Sequence, residues 1–269
     1  MPKTIYEKPT RVLLKDMLAS WHLQPGEIFS ARRAVDWFAE KYPKLKSGSI
    51  TAHLVQASTN DPSRLHHTAT NSTDDLLYRV GPREYRLYEP GKDPAPIHRP
   101  NKVQVPGAGG ETVTVLEDED DAGAAADVSM GGSSQFALEK DLQRYLSDNL
   151  HIIEPGLALF QDEDISGFEY PAGGGRRIDI LAKDSAGNFV VLELKVEKGY
   201  DRVVGQLLRY MNWVRKELAE PGQRVRGIIV CRTMSEDLVL ACSSIKDVEL
   251  YEYRLQVTVT KVRSLDLGV

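Results

Sequence analysis

The chain has 269 residues, 41% of them hydrophobic, which is enough for one large or two modest domains, each with its own core. Its two cysteines lack zinc-type spacing, and no stretch approaches the ~18 consecutive apolar residues of a membrane span; this argues against a disulfide framework, a zinc site and a membrane protein. No apolar segment follows Met1, so we expect no signal peptide and a reducing, cytoplasmic location.

The formal net charge of −5 is unevenly distributed along the chain. Residues 1–100 carry a net charge of +4, residues 101–133 carry −6 and residues 134–269 carry −3. An acidic C-terminal part suits a metal site but attracts phosphate weakly. Any affinity for nucleic acid should therefore depend on the N-terminal third and on bound metal.

Residues 1–90 are predicted to form a small domain of three helices followed by a β-hairpin. Helices are indicated over RVLLKDMLASWHL, over ARRAVDWFAEKY after Ser30, and over SITAHLVQAST after Ser47 or Ser49. Two short strands, LLYRV and EYRLYE, flank the sequence Gly-Pro-Arg at 81–83. This order is typical of a winged helix-turn-helix domain, whose third helix enters the major groove of DNA.

One face of the third helix, together with the loop after it, carries side chains that can hydrogen-bond to base edges and phosphates. The predicted DNA contacts are Thr51, His53, Gln56, Ser58, Asn60 and Arg64, joined by Thr59, His66, His67 and, at the tip of the wing, Arg83 and Arg79. The alternative is a structural or protein-docking module. The sequence Leu-His-His at 65–67 lacks a third ligand at a suitable spacing, which argues against zinc.

Residues 91–133 are predicted to be a flexible linker in which Pro, Gly and Ala dominate, with an acidic run LEDEDDAGAAAD. Such a run is usually a solvated spacer, although it could also occupy a basic groove as a nucleic-acid mimic. A flexible linker would let the two domains dock on DNA at a variable offset.

Residues 134–269 are predicted to alternate strands and helices around a central sheet, an α/β arrangement. A leading helix is indicated over FALEKDLQRYLSDNL, and a second helix over YDRVVGQLLRYMNWVRKELAE, ending before Pro221-Gly222. Between them, RIDILAK and FVVLELKV indicate two strands joined by the turn DSAGN. The segments RGIIVC, SEDLVLACSSI, VELYEYRL and QVTVTKV then indicate a strand, a helix and two more strands.

The strand FVVLELKV is interrupted by Glu193 and Lys195, which the two-residue period of a strand places on one face. If DSAGN closes a simple hairpin with Lys183 opposite Phe189, Asp179 lies directly opposite Glu193. Two carboxylates roughly 5 Å apart repel unless a cation lies between them, and their oxygens suit Mg²⁺ or Mn²⁺. The alternative is a surface hairpin with a solvated Glu–Lys pair, but the apolar neighbours of Glu193 favour a strand covered on both faces.

Asp179 followed by Glu193-Leu194-Lys195 on the next strand resembles the signature of the PD-(D/E)XK nuclease superfamily, with isoleucine in place of the proline before the aspartate. Gln206 and Tyr210, four residues apart on one face of the following helix, resemble the NucS (EndoMS)/DUF91-like group and also RecB-like relatives. The segment FALEKDLQRYLSDNLHIIEPGLALF resembles the leading helix of the same group. The resemblance covers about residues 134–232, roughly half the chain.

The resemblance implies a restriction-endonuclease-like core, a mixed sheet flanked by helices, in which Asp179, Glu193 and the main-chain carbonyl of Leu194 hold a metal ion. Lys195 would position or deprotonate the attacking water, and Glu139 on the leading helix would hold a second metal or its water shell.

Four further residues are assigned supporting roles. Gln206 and Tyr210 would orient the phosphate or the metal ligands as an outer shell, although core packing is an equal alternative for Tyr210. Arg176 and Arg177, just before Asp179, could clamp a phosphate oxygen, with a solvent-facing pair as the alternative.

The sequence therefore predicts a Mg²⁺-dependent endonuclease for double-stranded DNA, with Mn²⁺ able to replace Mg²⁺ and no small-molecule cofactor. A restriction-type or modification-dependent enzyme fits the DNA-reading domain, and a homodimer is expected because one site cuts one strand. The alternatives are a repair nuclease acting on mismatched or branched DNA, and a DNA-binding regulator with an inactive nuclease fold.

Overall fold

The computed structural model describes residues 4–66, 72–98, 132–195 and 200–256. His67, most of the predicted linker and almost all of the last predicted strand lie outside these residues. Within the described part of the chain, no helix combines the length and the apolar character that crossing a bilayer requires.

The N-terminal unit, as far as it is described, combines three α-helices with a small antiparallel sheet. Its elements are α1 (Thr10–Trp21), β1 (Phe29–Ser30), α2 (Ala31–Lys41), α3 (Ser47–Gln56), β2 (Leu77–Gly81) and β3 (Glu84–Leu87). The strand order is β1-β3-β2. The predicted helices and hairpin are thus present, with one additional short strand, and the winged-helix assignment stays a prediction.

Local chemistry accounts for these helices in different ways. The Ser30 hydroxyl accepts a hydrogen bond from the Arg33 amide and so caps α2. Helix α3 follows Lys46 without a side-chain cap, so packing and not capping defines where it begins. The three helices enclose an apolar core that includes Met17, Phe38 and Leu54, none of which is exposed to solvent.

The C-terminal unit is built on a mixed sheet that helices cover on both faces. Its elements are α4 (Gly132–Asp148), β4 (Ala158–Leu159), β5 (Gln161–Asp162), β6 (Ile165–Ser166), β7 (Phe168–Pro171), β8 (Arg177–Lys183), β9 (Phe189–Lys195), α5 (Tyr200–Glu217), β10 (Val225–Cys231), α6 (Glu236–Cys242) and β11 (Val248–Glu252). The described strands follow the order β11-β10-β9-β8-β4, and β7 also pairs with β8. Strands β9, β10 and β11 are parallel, whereas β8 is antiparallel to its neighbours, so the sheet is mixed as predicted.

The hairpin of β8 and β9 has the predicted register. Lys183 pairs with Phe189, and Ile180 pairs with Leu192. The Asp184 carboxylate accepts hydrogen bonds from the amides of Ala186 and Asn188 and so closes the turn. This turn chemistry fixes which residues oppose each other further along the two strands.

Strand β9 is buried on both of its faces. Val191 packs into the core cluster shared with α5, and Val190 packs into the cluster shared with α4. Helix α5 approaches the sheet closely at Gly227 of β10, where a Cβ atom would lie 2.7 Å from the sulfur of Met211. The continuous apolar run of β9 therefore belongs to a sheet interior, and its charged residues lie in protein.

Helix α3 packs against the C-terminal unit on the face opposite its own core. A Cβ atom at Gly48 would lie 2.7 Å from a methyl carbon of Leu218, and Ala52 belongs to the same core cluster as α5. Small residues let the helix approach the C-terminal unit this closely. A flexible linker would let the two domains sit at variable positions relative to each other, and this would expose the packed face of α3 to solvent. The observed packing does not fit that expectation.

The β5–β6 turn supplies polar contacts to this junction, here called the clamp and formed by Thr10, His53, Gln56, Glu163 and Asp164. Glu163 accepts hydrogen bonds from the amide of Thr10 at 2.7 Å and from its hydroxyl at 3.2 Å. The His53 Nε2 atom lies 3.6 Å from the Glu163 carboxylate, and the Gln56 amide donates to Asp164 at 3.3 Å. Glu163 has a φ of 52°, in the left-handed region that non-glycine residues rarely adopt.

The clamp shifts the protonation of its two main partners in opposite directions. Burial lowers the pKa of His53, but Glu163 and Asp162 outweigh it, so the pKa of His53 is raised above its usual 6.5. Burial raises the pKa of Glu163, but His53 and Thr10 outweigh it, so the pKa of Glu163 is lowered below 4.5. The pair therefore stabilises the fold fully between pH 4.5 and 6.5, and less as pH rises through the raised pKa of His53 or falls through the lowered pKa of Glu163.

Replacing Glu163 by Gln should lower the free energy of unfolding by about 1–3 kcal/mol at pH 5.5, because His53 then loses its charged partner in a buried setting. The loss should become smaller towards pH 9, because His53 loses its charge in the wild type as pH rises through its raised pKa. Urea unfolding at the two pH values measures both differences. The exposed Glu40→Gln substitution serves as the control, and an equal loss at both pH values would contradict the assignment of a charged pair.

Candidate active site

Strands β8 and β9 bring Asp179 and Glu193 together, as their register requires. The ladder runs to the pair of Ile180 and Leu192, and its next step places Asp179 opposite Glu193. Asp179 is half-buried and accepts a hydrogen bond from the Leu194 amide at 2.8 Å, while Glu193 is fully buried. Two carboxyl groups thus meet in a site largely removed from water.

The electrostatics of this pair favour a cation. Burial raises the pKa of Asp179 to about 7, with Lys195 and the Leu194 amide opposing the shift. Burial, followed by the charge of Asp179, raises the pKa of Glu193 well above its usual 4.5. Both groups are therefore held in a setting that penalises their charged forms.

Lys195 supplies one positive charge beside the two carboxyl groups. Its ammonium nitrogen lies 3.8 Å from a carboxylate oxygen of Glu193, a distance of attraction without a hydrogen bond. Neither oxygen of Glu193 has a hydrogen-bond partner among the described residues, although both are buried. Unpartnered carboxylate oxygens are the ligands that a hard divalent cation prefers, so the residues present fit such an ion.

The main chain of Leu194 is directed towards Asp179. Its N–H donates to Asp179, and the N–H and C=O of one strand residue point to the same edge of the strand. The Leu194 carbonyl therefore faces the strand that carries Asp179, where the sequence predicts it as a metal ligand.

Helix α4 brings Glu139 towards this pair. The charge of Glu139 raises the pKa values of both Asp179 and Glu193, which places its half-buried carboxylate near them. One turn further along the helix, the Gln143 side chain donates to the main-chain oxygen of Asp179 at 2.8 Å. Gln143 thus fixes the helix that carries Glu139, a role that sequence reasoning missed although the two residues are four apart on one helix face.

Gln206 and Tyr210 lie together on α5, which covers the sheet beside β9. The Gln206 amide donates to the Tyr210 hydroxyl at 3.5 Å, a long hydrogen bond. Gln206 is half-buried, and Tyr210 is buried within the core cluster of the sheet. Core packing of Tyr210 is therefore observed, and the role of both residues in orienting ligands stays a prediction.

Glu169 on β7 is a candidate site residue that sequence reasoning missed. It lies between the paired residues Phe168–Ile180 and Tyr170–Ile178, beside Asp179 across the sheet. The Glu169 carboxylate lies 3.0 Å from His66 Nε2, and it forms ion pairs with Arg177 at 3.8 Å and Lys140 at 3.9 Å.

These three neighbours determine the charge state of Glu169. Burial raises its pKa, but His66, Lys140 and Arg177 outweigh the burial, so the pKa of Glu169 falls to about 2. Glu169 remains ionised and links the N-terminal unit, α4 and β8 at the edge of the site. Its position had no sequence signal, because β7 is short and Glu169 has a φ of 46° that breaks the alternation of the strand.

The structure corrects the expected surface of α3. Five predicted DNA contacts are buried against protein with at most 3% exposure, namely His53, Gln56, Ser58, Thr59 and Arg64. His53 and Gln56 are buried because α3 packs on the C-terminal unit. The other three donate hydrogen bonds within the N-terminal unit, to Leu54, Leu77 and Asp75 in turn. In this arrangement these side chains cannot reach base edges.

Other predicted contacts hold the N-terminal unit together. The Thr51 hydroxyl donates to the Ser47 carbonyl, the Asn60 side chain bonds both main-chain polar groups of Arg79, and Arg64 donates to Asp75. Three predicted arginines are placed differently, since Arg83 is exposed while Arg176 and Arg177 are half-buried. Arg177 also donates to the Ser63 hydroxyl at 2.9 Å, which connects the two units.

His53, Glu163 and Asp164 form a second group with metal-ligand chemistry, since one potential ligand atom from each lies within 4.8 Å of the others. Their polar atoms bond to Thr10 and Gln56 across the junction of the units. We therefore interpret this group as part of the clamp.

Two family models match separate parts of the chain. Residues 9–87 match a model described as a domain of unknown function (DUF7669). Residues 138–256 match a model described as the endonuclease NucS C-terminal domain. Residues 138–256 form a NucS-like domain. The expected resemblance to the NucS-like PD-(D/E)XK nucleases is thereby confirmed for this part of the chain.

Several proteins named endonuclease NucS resemble the chain. The protein from Thermococcus kodakarensis is 35% identical over 98 residues, which is 36% of this chain and 34% of that protein. The protein from Micrococcus luteus is 28% identical over 213 residues, covering 72% of this chain and 86% of that protein. A crystal structure of a repair endonuclease from Pyrococcus abyssi is 25% identical, with a TM-score of 0.35, and the match covers 48% of this chain and 49% of that one. The chain spans about a third of the length of the first of these curated relatives.

Replacing Glu193 by Gln should stabilise the metal-free protein by about 1–3 kcal/mol at pH 8, because it removes a buried carboxylate without hydrogen-bond partners. The direction of the pH dependence follows from the raised pKa of Glu193. The charged form is penalised in the fold, so wild-type stability falls as pH rises above 4.5, and the variant should lose much of this dependence.

Thermal unfolding in EDTA and in Mg²⁺ measures both effects. Mg²⁺ should raise the melting temperature of the wild type and leave that of Glu193→Gln nearly unchanged, with the exposed Glu40→Gln behaving as wild type. A destabilised variant, or an equal response of both proteins to Mg²⁺, would argue against a metal site at Glu193.

Proposed function

We propose that this chain is a Mg²⁺-dependent endonuclease that hydrolyses phosphodiester bonds of double-stranded DNA. The observation that carries the proposal is the meeting of Asp179, Glu193 and Lys195 on two adjacent strands of a NucS-like domain. Mn²⁺ is expected to substitute for Mg²⁺, since both prefer carboxylate oxygens.

Each residue has a defined task in this reaction. Asp179, Glu193 and the Leu194 carbonyl hold the ion, which when bound supplies an activated water and neutralises charge on the phosphate oxygens. Lys195 orients the attacking water and offsets the negative charge that grows on the phosphate in the transition state.

Three further residues serve this site from its edge. Glu139 extends the acidic site from the α4 side, where it can hold a second ion or its water shell. Gln206 and Tyr210 orient the phosphate or the metal ligands as outer partners.

The proposed substrate is distorted duplex, that is, mismatched or branched DNA. A repair role is what the resemblance to the NucS (EndoMS)/DUF91-like group implies, and several relatives of the chain are named endonuclease NucS. The restriction-type enzyme predicted from the sequence depended on α3 as a reader of base sequence. Because His53 and Gln56 are buried on that helix, the argument for sequence-specific reading is weakened.

A homodimer remains part of the proposal, because cutting both strands of a duplex at one place needs two sites. The intact set of Asp179, Glu193 and Lys195 counts against a regulator with an inactive nuclease fold.

Replacing Lys195 by Ala should reduce Mg²⁺-dependent cleavage of a mismatched duplex by at least about 10²-fold while DNA binding is retained, because the ammonium acts on the transition state. Cleavage is measured on end-labelled duplexes, matched and mismatched, and binding by anisotropy in EDTA. Lys183→Ala is a matched control, since Lys183 lies at the far end of the same hairpin over the rings of Phe160 and Phe189.

Retained cleavage in Lys195→Ala would refute the role assigned to the lysine. Equal cleavage of matched and mismatched duplexes by the wild type would return the proposal to the restriction-type alternative. No metal-dependent cleavage of any duplex would favour the inactive regulator.

A further inference from the structure

At the junction of the two units, His53 on α3 meets two consecutive carboxylates, Glu163 and Asp164 of the β5–β6 turn. One potential ligand atom from each residue lies within 4.8 Å of the others, and all three residues are buried. The hydrogen bonds of the clamp account for the two carboxylates and for one nitrogen of the His53 ring. The second ring nitrogen, Nε2, faces the carboxylates, and those hydrogen bonds do not account for it.

The neutral His53 ring presents a lone pair to the carboxylates. Its Nδ1 atom lies 2.9 Å from the main-chain oxygen of Ser49, which can only accept, so Nδ1 carries a proton. The lone pair of the neutral ring is therefore on Nε2. This atom is buried and has no hydrogen-bond partner among the described residues. Because an unpartnered buried polar atom costs free energy, the arrangement favours a group that Nε2 can bind.

The distance between His53 and Glu163 is too long for a hydrogen bond and fits two ligands of one metal ion. The His53 Nε2 atom lies 3.6 Å from a carboxylate oxygen of Glu163. Two atoms that bind one zinc ion at ~2.0–2.1 Å in tetrahedral geometry lie about 3.3 Å apart. The observed separation is close to this value. An ion held in this way needs no separate cavity, because its ligands contact it directly.

Asp164 supplies the third ligand. Its carboxylate lies within 4.8 Å of the other two ligand atoms, so a shift of about 1.5 Å or less brings it to the separation of zinc ligands. Two contacts of its Oδ2 atom are long, since the Gln56 amide donates at 3.3 Å and the Arg11 guanidinium lies at 3.8 Å. A water molecule would complete the fourth position, as zinc accepts three protein ligands and one water.

Every ligand has an outer hydrogen-bond partner in the N-terminal unit, namely Ser49 for His53, Thr10 for Glu163 and Gln56 for Asp164. Metal ligands in proteins are held in this way, because outer partners fix the tautomer and the direction of each ligand. A carboxylate oxygen has two lone pairs, so an oxygen that accepts from Thr10 can still bind an ion. The existing hydrogen bonds therefore prepare the ligands and do not compete with the ion.

In the metal-free protein, a proton takes the place of the ion. Burial lowers the pKa of His53, but Glu163 and Asp162 outweigh it, so the pKa of His53 is raised. The positive charge that collects on His53 as a proton is the charge that a metal ion would supply. The charged pair of the clamp is thus the metal-free state of the same ligands.

We propose that His53, Glu163 and Asp164 bind one first-row divalent transition-metal ion, with Zn²⁺ as the expected occupant, which joins α3 to the β5–β6 turn. One imidazole nitrogen with two carboxylates suits zinc, whereas the predicted ligands of the active site are all oxygens, which suit Mg²⁺. The role of this ion is structural and separate from DNA cleavage. No sequence spacing signals the site, because its ligands come from different units.

The test measures Zn²⁺ binding to the full chain after metal is removed with EDTA and the EDTA is dialysed away. All proteins carry Glu193→Gln, so that a ligand of the active site is absent. Zn²⁺ at about 100 times its Kd should raise the melting temperature of this parent protein by about 5–10 °C. Adding His53→Gln should lower the Zn²⁺ affinity at least about tenfold and remove most of this shift. The matched control is His151→Gln, an exposed histidine, which should behave as the parent does.

A second variant and a second metal keep the test independent of the folding of His53→Gln. Asp164→Asn preserves the shape of the side chain and its hydrogen bond from Gln56, and it should also lower the Zn²⁺ affinity. Cobalt(II) reports the geometry of the site, because its visible absorption is strong in a tetrahedral site and weak in an octahedral one. A strong absorption in the parent that both variants lose would support the proposed ligands.

Two results would overturn the site. One is an unchanged Zn²⁺ affinity and melting shift in both the His53→Gln and the Asp164→Asn variants. The other is a parent protein whose melting temperature does not respond to Zn²⁺. Neither result bears on the proposed cleavage of DNA, which the comparison of Lys195→Ala with Lys183→Ala tests separately.

Discussion

Two carboxyl groups held side by side in a buried sheet constrain everything else in this protein. Asp179 and Glu193 lie on neighbouring strands, and both resist ionisation because water is largely excluded. The ammonium nitrogen of Lys195 lies 3.8 Å from a carboxylate oxygen of Glu193 and compensates one negative charge. The oxygens of Glu193 lack hydrogen-bond donors among the described residues. Such an arrangement costs stability in the metal-free protein, and a fold that tolerates this cost must be well packed around it.

The surrounding structure supplies that packing. Strand β9 is covered by α5 on one face and by α4 on the other, and α4 is tied to Asp179 through Gln143. Glu169 adds a negative charge beside the site, and Lys140, Arg177 and the His66 ring contact its carboxylate from three directions. Glu169 therefore stays ionised, whereas burial penalises the charged forms of Asp179 and Glu193.

The hairpin that carries the site could be predicted from sequence because its determinants are local. The DSAGN turn is closed by Asp184, and the strand period then sets which residues face each other. The burial of α3 could not be predicted in this way. Both faces of that helix suit burial, one through Ile50 and Leu54 and the other through Gly48 and Ala52, and only the partner surface decides. Glu169 was missed for a related reason, since its left-handed backbone erases the alternating pattern by which a strand is recognised.

The three consecutive glycines of the β7–β8 turn let the two units approach each other closely. A Cβ atom at Gly173 would lie 3.1 Å from Arg83 Nη2, and one at Gly175 would lie 3.1 Å from Arg79 Nη2. All three glycines have positive φ values, which residues with a side chain rarely adopt. The tolerance of this turn to substitution is therefore set by backbone geometry and by the neighbouring unit, and not by the chemistry of the candidate site.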